Sequence, residues 1–260
     1  MSGQFATLAF DERGGIGRLT LQRAAQGNAI NLQMAHELRR VAVLCAASTS
    51  LRVLVLGGAG SHFCLGGDLR ESAATAMPAA EYSREITRVL HEAMLALVAL
   101  PAPCVIALRG VAAGAGMGLA LIGDLVVATR SAKLVPAYTK VSLTPDAGVS
   151  FLLPRLVGRA RTMEMLLLNR EVRAEEALQW GLVNRVVDDD ALDPAVDEWA
   201  GALARGPAGA FAATRALVRT SLEGLAAQME AESLCMARQA ASPEGATGIA
   251  AFMATSRRRD

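Results

Sequence analysis

The chain has 260 residues, of which 52% are hydrophobic and 20% charged, and its formal net charge is +1. This length suits one large domain or one domain with an appendage, and the hydrophobic share predicts a sizeable buried core. The near-zero charge gives no support to a nucleic-acid-binding protein or a protein of the membrane surface.

The cysteines and the apolar segments bear on location. The four cysteines form no Cys-x-x-Cys pair and have no metal-ligand spacing with the three histidines, so we expect free thiols in a reducing compartment and no bound metal. The first ten residues lack the basic region and apolar run of a signal peptide. The longest apolar stretch, near 110–128, is interrupted by Asp124 and is too short to span a bilayer. We therefore expect a soluble cytoplasmic protein with no membrane or nucleic-acid partner.

The N-terminal part predicts strands that alternate with helices. Residues 5–10 and 16–21 have the pattern of short strands around a glycine turn, and residues 31–46 have helical character with an asparagine as N-cap. Residues 51–58 predict a buried strand that ends in glycine. Residues 78–99 predict an amphipathic helix that ends before a Pro-Ala-Pro segment.

The same order of elements then recurs. CVIALRG at 104–110 predicts another buried strand before a glycine turn, and LVVATRSAKLV at 125–135 predicts further strand. From about residue 160 the pattern is helical, interrupted by the strand-like LVNRVVDD at 182–189. A strand–turn–helix unit thus repeats at a spacing of roughly 50 residues, which favours a layered or spiral α/β core.

Two glycine-bearing turns carry the clearest chemical signal, FCLGGDL at 63–69 and GVAAGAGMGLALIGD at 110–124. Glycine permits close backbone approach and turn conformations that other residues avoid. The second turn runs into an apolar, helical stretch, and the free N–H groups at a helix start favour negative charge. Two such N–H groups that converge on one carbonyl oxygen form an oxyanion hole. The sequence therefore predicts a site that polarises a carbonyl.

The order of three motifs resembles the crotonase, or enoyl-CoA hydratase/isomerase, superfamily. FCLGGDL is followed by PAPCVIALRGVAAGAGMGLALIGDLVVATRSAKL and then by LTPDAGVSFLLPRLVGRARTMEMLLLNREVRAEEALQWGLVNRVV. The resemblance implies an α/β fold with a spiral of repeated ββα units over residues 1–195. It also implies a helical trimerisation region over residues 196–260, trimers or dimers of trimers, and coenzyme A thioesters as substrates.

The resemblance assigns the oxyanion donors to the backbone N–H groups of Gly67 and Ala115. Ala115 lies between Gly114 and Gly116, in the middle of what is usually a triple glycine, and alanine retains the N–H. Asp68 and Asp124 also match family positions, and we interpret both as structural partners of backbone N–H groups.

The catalytic carboxylates of the family's hydratases are missing. The two glutamate positions hold Gly118 and Tyr138, and the addition of water needs groups that hold the water and move its protons. Asp146 supplies a carboxylate at a position where the family's isomerases place an acidic residue. The surrounding pattern looks most like the isomerase branch of phenylacetate breakdown and is similar to enoyl-CoA isomerases that use one acid.

A single carboxylate suits isomerisation. It can remove a proton from one carbon and return it to another while the oxyanion hole holds the enolate, and an apolar pocket would raise its pKa towards neutrality. Taken without the resemblance, Asp146 after Pro145 is more typical of a turn residue. Its place in the family pattern favours catalysis.

Three alternatives stay open. In the first, His91 and Asp146 match a functional histidine and a nucleophilic aspartate of 4-chlorobenzoyl-CoA dehalogenase. The aspartate would attack an aromatic ring, and a water activated by the histidine would hydrolyse the resulting ester. Tyr138 departs from this pattern, because that enzyme has a tryptophan there. The second alternative is a weak hydratase. The third is a catalytically silent acyl-CoA-binding subunit, suggested by the lost glutamates and by Val149, which breaks a usual glycine pair.

The coenzyme A contacts implied by the resemblance cluster in two segments and at the C-terminus. Arg23 and Arg257 are candidates for phosphate pairing, and Phe252 for packing on the adenine side. The remaining predicted contacts of the thioester substrate are Gln26, Asn28, Cys64, Leu65, Gly66, Asp68, Gly114, Tyr138 and His91.

Overall fold

The computed structural model describes residues 5–256. The N-terminal segment forms an antiparallel pair, β1 (Leu8–Arg13) and β2 (Ile16–Leu21), joined at Gly14 and Gly15. The predicted helix follows as α1 (Leu32–Ala47), and its N-cap is Asn31, whose side chain accepts the Met34 N–H at 2.9 Å. The next elements are β3 (Val53–Gly58), α2 (Leu69–Ala74) and α3 (Ala79–Ala99).

The middle of the chain alternates short strands with helices. It contains β4 (Cys104–Leu108), β5 (Val111–Ala113), α4 (Ala115–Leu121), β6 (Leu125–Thr129), β7 (Lys133–Val135) and α5 (Val149–Leu168). The single strand segment predicted over 125–135 is in fact two strands, because a turn at Arg130 and Ser131 divides it. The helical run of α5 is broken at Gly158, whose φ of +81° is not helical.

The C-terminal part is mainly helical, as predicted. Two short strands and five helices follow α5, namely β8 (Val172–Arg173), α6 (Ala174–Gln179), β9 (Arg185–Val187), α7 (Leu192–Arg205), α8 (Ala208–Arg219), α9 (Leu225–Ala240) and α10 (Pro243–Ser256). Within residues 5–256, no helix is both long and apolar enough to cross a membrane.

Two sheets confirm the predicted spiral. The larger sheet has the order β1-β2-β3-β4-β6-β9 and is parallel except for the first pair. The smaller sheet has the order β5-β7-β8. Successive coils therefore place one strand in each sheet before a helix returns, as in β4-β5-α4 and β6-β7-α5.

Isolated parallel bridges extend the smaller sheet towards the N-terminus. One joins Cys64 to Ala112 and the other joins Ile30 to Gly67. The first glycine turn thus forms one parallel bridge with the segment at Ile30 and another with β5. This arrangement stacks the two glycine turns, which lie far apart in sequence, on neighbouring coils.

The large sheet is covered on both faces. A main core fills the space between the sheets and helices such as α1, α3, α4 and α5. A second cluster joins valines of β3, β4 and β6 to the buried face of α7, where Leu192, Ala195 and Val196 contribute. The boundary predicted between residues 195 and 196 falls inside α7, which packs on the sheet.

Asp124 anchors the C-terminal helices to the sheet. Its carboxylate accepts the Cys104 N–H at 2.7 Å and Nε–H of Arg215 at 2.8 Å. Arg215 is buried and also donates to the Leu100 carbonyl. This buried ion pair supports the structural role predicted for Asp124 and ties α8 to the start of β4.

We predict that Arg215→Ala lowers the free energy of unfolding by about 2–4 kcal/mol, because it leaves a partly buried carboxylate and a carbonyl without their cation. Urea denaturation measures the change. Arg130→Ala is the matched control, since Arg130 pairs with Glu175 and Asp188 on the surface, and its midpoint should match the wild type. Equal midpoints for both variants would show that Arg215 is not a structural anchor.

Candidate active site

The first glycine turn is held by backbone hydrogen bonds on both sides. Ile30 N–H donates to the Gly66 carbonyl at 2.7 Å, and Asp68 N–H donates to the Ile30 carbonyl at 2.8 Å. On the other side, Ala113 N–H donates to the Cys64 carbonyl at 2.8 Å. These bonds fix the direction of the turn without using the N–H of Gly67.

Glycine is needed where the two turns meet. Gly66 has a φ of +93°, and a Cβ atom there would lie 2.9 Å from the Ala113 carbonyl oxygen and 3.5 Å from the Ala115 nitrogen. Gly114, with a φ of +50°, is the N-cap of α4. A side chain at Gly66 would therefore displace the second turn, which carries the predicted donor at Ala115.

The two predicted oxyanion donors line one cavity. Gly67 and Ala115 both border it, and no acceptor among the described residues takes the N–H of either. Ala115 is the first residue of α4, where the helix has no earlier carbonyl to accept its N–H. The alanine in place of a glycine therefore leaves the N–H without an acceptor among the described residues.

The cavity has a volume of about 150 Å³. Asp146 and Tyr138 line it near the second turn, and Asp68 lines it beside the first. Most of its remaining wall is apolar and comes from α2, α3, α9, α10 and the segment before α5, at Leu69, Ile86, Val141, Leu143, Met236 and Phe252. Such a pocket suits a thioester carbonyl at one end and an apolar acyl group beyond it.

Asp146 has the properties of a proton-transfer group. Its side chain is buried, and Oδ1 has no hydrogen-bond partner among the described residues. Burial raises its pKa from 3.8 to about 7; a hydrogen bond from Tyr138 opposes the rise, and the nearby Glu232 carboxylate adds to it. A buried carboxylate oxygen without a hydrogen-bond partner is an exception in folded proteins, and this one belongs to a residue that lines the cavity.

The backbone around Asp146 explains why its carboxylate does not cap α5. Ala147 and Gly148 both have left-handed conformations, with φ of +55° and +74°. The N–H of Gly148 donates to Glu232 Oε2 at 2.8 Å, and the N–H of Ser150 donates to Glu232 Oε1 at 2.9 Å. Glu232 thus occupies the N-terminus of α5. The turn-residue interpretation of Asp146 fails here, because these N–H groups bind another carboxylate.

Glu232 is a residue beside the candidate site that the sequence reasoning missed. It is buried in α9, and burial raises its pKa while the hydrogen bonds from Ser150 and Gly148 oppose the rise. A signal existed, because Leu225, Met229, Glu232 and Met236 follow a helical spacing, which places a carboxylate on the apolar face of α9. A charged residue at such a position requires partners.

Gly118 lacks the carboxylate of the hydratases and also leaves space for the backbone of Ala147. A Cβ atom at this position would lie 2.4 Å from the carbonyl oxygen of Ala147 and 2.6 Å from its Cβ. Only a glycine in α4 lets the segment that carries Asp146 pack so closely. The position that holds a glutamate in hydratases is therefore filled by the backbone next to Asp146.

His91 is a satisfied core residue. Its Nε2 accepts the Ala147 N–H at 3.1 Å, and the ring also forms a hydrogen bond with the backbone of Met229. Burial lowers its pKa to about 4. The ring does not border the cavity. It therefore supports the left-handed residue beside Asp146 and has no free nitrogen with which to activate water.

Tyr138 also orients Asp146. Its hydroxyl donates to the backbone carbonyl of Asp146 at 3.1 Å. Burial and the neighbouring Asp146 carboxyl hold the pKa of Tyr138 well above its usual value. The phenol therefore stays protonated and acts as a donor, which is not the role of the glutamate found there in hydratases.

The predicted coenzyme A residues have mixed positions. Asn28 lies outside the cavity and joins two loops, since its side chain accepts the Arg23 N–H of its own loop and donates to the carbonyls of Ala59 and His62 in the loop after β3. Arg23 pairs with Asp68 at 2.8 Å. Cys64 is fully buried and does not line the cavity; its backbone instead bonds to β5, through the carbonyl of Val111 and the N–H of Ala113.

Other predicted contacts remain accessible. Gln26 is exposed, as are Leu65 and Phe252, which both border the cavity. Arg257 lies outside the described residues. Across residues 5–256, no group of three His, Cys, Asp or Glu side chains is arranged to hold a metal ion.

Comparison with known proteins agrees with this geometry. A family model described as enoyl-CoA hydratase/isomerase matches residues 11–258. The 1,2-epoxyphenylacetyl-CoA isomerase of Escherichia coli K12 is 36% identical, over 92% of this chain and 92% of its own length. A probable enoyl-CoA hydratase of Rhodobacter capsulatus is 37% identical, over 96% of this chain and 95% of its own.

Two further similarities bear on the fold and the alternatives. The 4-chlorobenzoyl coenzyme A dehalogenase-2 of an Arthrobacter species is 34% identical, over 77% of this chain and 73% of its own. Among solved structures, an enoyl-CoA hydratase from Mycobacterium avium subsp. paratuberculosis K-10 superposes with a TM-score of 0.88 at 31% identity. That superposition covers 97% of each chain.

We predict that Glu232→Gln moves the acidic limb of the pH profile of kcat/KM to lower pH. The neighbouring negative charge disfavours ionised Asp146, so its removal lowers the pKa of Asp146 from about 7. Ser150→Ala is the matched control, because it removes a hydroxyl that donates to Glu232 without changing charge. An acidic limb that stays in place in the Gln variant would show that Glu232 does not tune Asp146.

Proposed function

The chain belongs to the enoyl-CoA hydratase/isomerase family, and we propose that within it the protein is an acyl-CoA isomerase that uses Asp146 as its single acid/base. The observation that carries the proposal is the buried carboxyl of Asp146, whose Oδ1 has no partner among the described residues, in the same cavity as two free backbone N–H groups. A carboxyl with a pKa of about 7 is suited both to accept and to return a proton near neutral pH.

The proposed reaction has two proton transfers. The thioester carbonyl oxygen lies between the N–H groups of Gly67 and Ala115, which stabilise the negative charge as an enolate forms. Asp146 removes a proton from one carbon of the acyl chain. The same carboxyl then returns the proton to another carbon, the double bond moves, and the thioester carbonyl is restored.

Hydration is a weaker candidate. Water addition needs a second group that orients the water and exchanges its protons, and the family's two glutamate positions hold Gly118 and Tyr138. The backbone of Ala147 fills the space beside Gly118. The similarity to a probable enoyl-CoA hydratase therefore supports the family and does not supply the missing group.

Dehalogenase-like chemistry is also weaker. It needs a histidine that activates water at the ester intermediate, whereas His91 has both ring nitrogens engaged and lies outside the cavity wall. A silent acyl-CoA-binding subunit remains the alternative from another class. The buried carboxyl of Asp146 argues against it, because a binding module gains nothing from a buried acid that has no cation beside it and one oxygen without a partner.

The substrate and setting are proposed from the relatives. The similarity to 1,2-epoxyphenylacetyl-CoA isomerase supports a role in the breakdown of phenylacetyl-CoA or a related acyl-CoA in the cytoplasm. The ligand is a coenzyme A thioester, with no separate cofactor. Gly66, Gly114 and Leu65 would flank its pantetheine arm, and Phe252 its entrance.

We predict that Asp146→Asn lowers acyl-CoA isomerisation and proton exchange by about 10²–10⁴-fold, since the variant keeps the shape and loses the base. The assay incubates a 3-enoyl-CoA panel in heavy water and follows mass and double-bond position. Affinity for the same ligands should change far less, because backbone groups hold the carbonyl. Normal turnover in the variant would rule out the single-acid mechanism, and His91→Ala should retain isomerisation.

The pH dependence of stability gives an independent check on Asp146. Its folded pKa of about 7 exceeds its ordinary value of 3.8, so the folded state holds an extra proton between these values. Wild-type stability therefore falls as pH rises through this window, and the Asn variant does not share that loss. The melting temperature of the variant relative to the wild type should increase with pH. A constant difference would contradict the raised pKa.

The same assay separates the alternatives. Water addition to crotonyl-CoA at a rate comparable to isomerisation would favour the hydratase. Halide release from 4-chlorobenzoyl-CoA would favour the dehalogenase. Tight binding of every ligand with no exchange would favour the silent subunit.

We also propose that the chain assembles as a trimer or a dimer of trimers. Large apolar side chains are exposed on α8 and near the end of α5, with Leu217 at 75% and Leu168 at 74% exposure. The neighbouring residues Val218 and Leu167 are exposed as well, and adjoining exposed apolar side chains are candidates for a subunit contact. Light scattering at micromolar concentration should report three or six subunits, and Leu217→Glu with Leu168→Glu should lower that number. A fully active monomer would contradict this proposal.

A further inference from the structure

The oxyanion site has a carboxylate directly beside it. Asp68 follows Gly67 in the chain, and both residues line the cavity that contains Ala115 and Asp146. The Asp68 side chain is only 9% exposed. Its charge is therefore poorly screened by solvent, and it lies on the side of the cavity where an enolate oxygen would be held.

Asp68 has a structural task that explains its presence. Its Oδ1 accepts the N–H groups of Arg70 at 3.1 Å and Glu71 at 3.2 Å, which caps α2 immediately after the oxyanion donor. Its own N–H donates to the Ile30 carbonyl. The side chain thus fixes the exit of the turn that presents the Gly67 N–H.

This task has an electrostatic cost. A negative carboxylate next to an oxyanion hole opposes the negative charge that develops on the substrate oxygen, and the opposition is strong where water is excluded. A turn stabilised by aspartate is compatible with enolate chemistry only if a positive charge offsets the aspartate.

Arg23 supplies that charge. Its Nη2 lies 2.8 Å from Asp68 Oδ2, and its side chain is 16% exposed. Its Nη1 donates to the Ala29 carbonyl, and its backbone N–H donates to Asn28 Oδ1 at 3.0 Å. The guanidinium is therefore held against Asp68 by its own loop and does not extend into solvent.

We propose that Arg23 is a positioning residue that neutralises Asp68, so that the turn at Gly67 can stabilise an enolate. This inference rests on the proposed function. It replaces the sequence-based expectation that Arg23 pairs with a phosphate of coenzyme A, because its carboxylate and carbonyl partners lie within the protein.

A truncated substrate distinguishes neutralisation of Asp68 by Arg23 from pairing of Arg23 with a coenzyme A phosphate. With N-acetylcysteamine thioesters, which lack every phosphate, Arg23→Gln should still lower kcat by about 10-fold or more, because the uncompensated Asp68 charge opposes the enolate. A change confined to KM with the coenzyme A thioester, and absent with the truncated thioester, would show a phosphate contact and overturn the proposal.

A double-mutant cycle tests the pairing. Arg23→Gln with Asp68→Asn should recover most of the lost kcat, because both charges are removed and the asparagine can still cap α2. Arg23→Lys should retain activity because it keeps the charge. Arg130→Gln, which changes a surface ion pair, is the control for loss of an arginine. Additive losses in the double variant would overturn the proposal.

Affinity measurements test the role of Arg23 independently of the proposed isomerisation. Affinity is measured for a nitronate analogue of the enolate and for an uncharged thioether of the same coenzyme A, with circular dichroism to confirm folding. Arg23→Gln should weaken the nitronate about 10-fold or more and leave the thioether nearly unchanged. Equal losses of affinity for the nitronate and the thioether would overturn the proposed role of Arg23. A wild type without proton exchange would instead reject the isomerase, whatever the nitronate result.

Discussion

The arrangement of the site depends on the capture of the α5 N-terminus by Glu232. The carboxylate accepts the N–H groups of Gly148 and Ser150 from 84 and 82 residues away. Because these donors are satisfied by α9, Asp146 is not drawn into capping its own helix. The interaction therefore joins the C-terminal helices to the spiral core and at the same time leaves the Asp146 carboxyl in the cavity with one oxygen unpartnered.

The two aspartates of the cavity are held in opposite electrostatic environments. Asp68 is paired with Arg23 and with the N–H groups of α2, so its charge is compensated. Asp146 has no cation beside it, and Glu232 adds a second negative charge nearby. Burial without a counter-charge raises the pKa of one carboxyl to the range useful for proton transfer, whereas compensation makes the other a structural group.

The site carries local costs that the surrounding packing has to offset. Ala147 holds a left-handed backbone beside Asp146, supported by the ring of His91, and Gly118 removes the side chain that would prevent the approach of this segment. Non-glycine residues in this conformation and unpaired buried acids are both unfavourable. Their concentration at one end of the cavity supports the proposed role of Asp146.

The sequence by itself determined most of the longer strands and helices, the glycine turns and, through the order of its motifs, the spiral fold, and it proposed Gly67, Ala115 and Asp146 as site residues. These features depend on near neighbours in the chain, where propensity, capping and glycine freedom act. Only the tertiary structure decided the partners of Glu232, His91 and Arg23. Their hydrogen bonds and ion pairs join distant segments, as in the 56 residues between His91 and Ala147, and a linear pattern carries no record of which polar groups burial brings together.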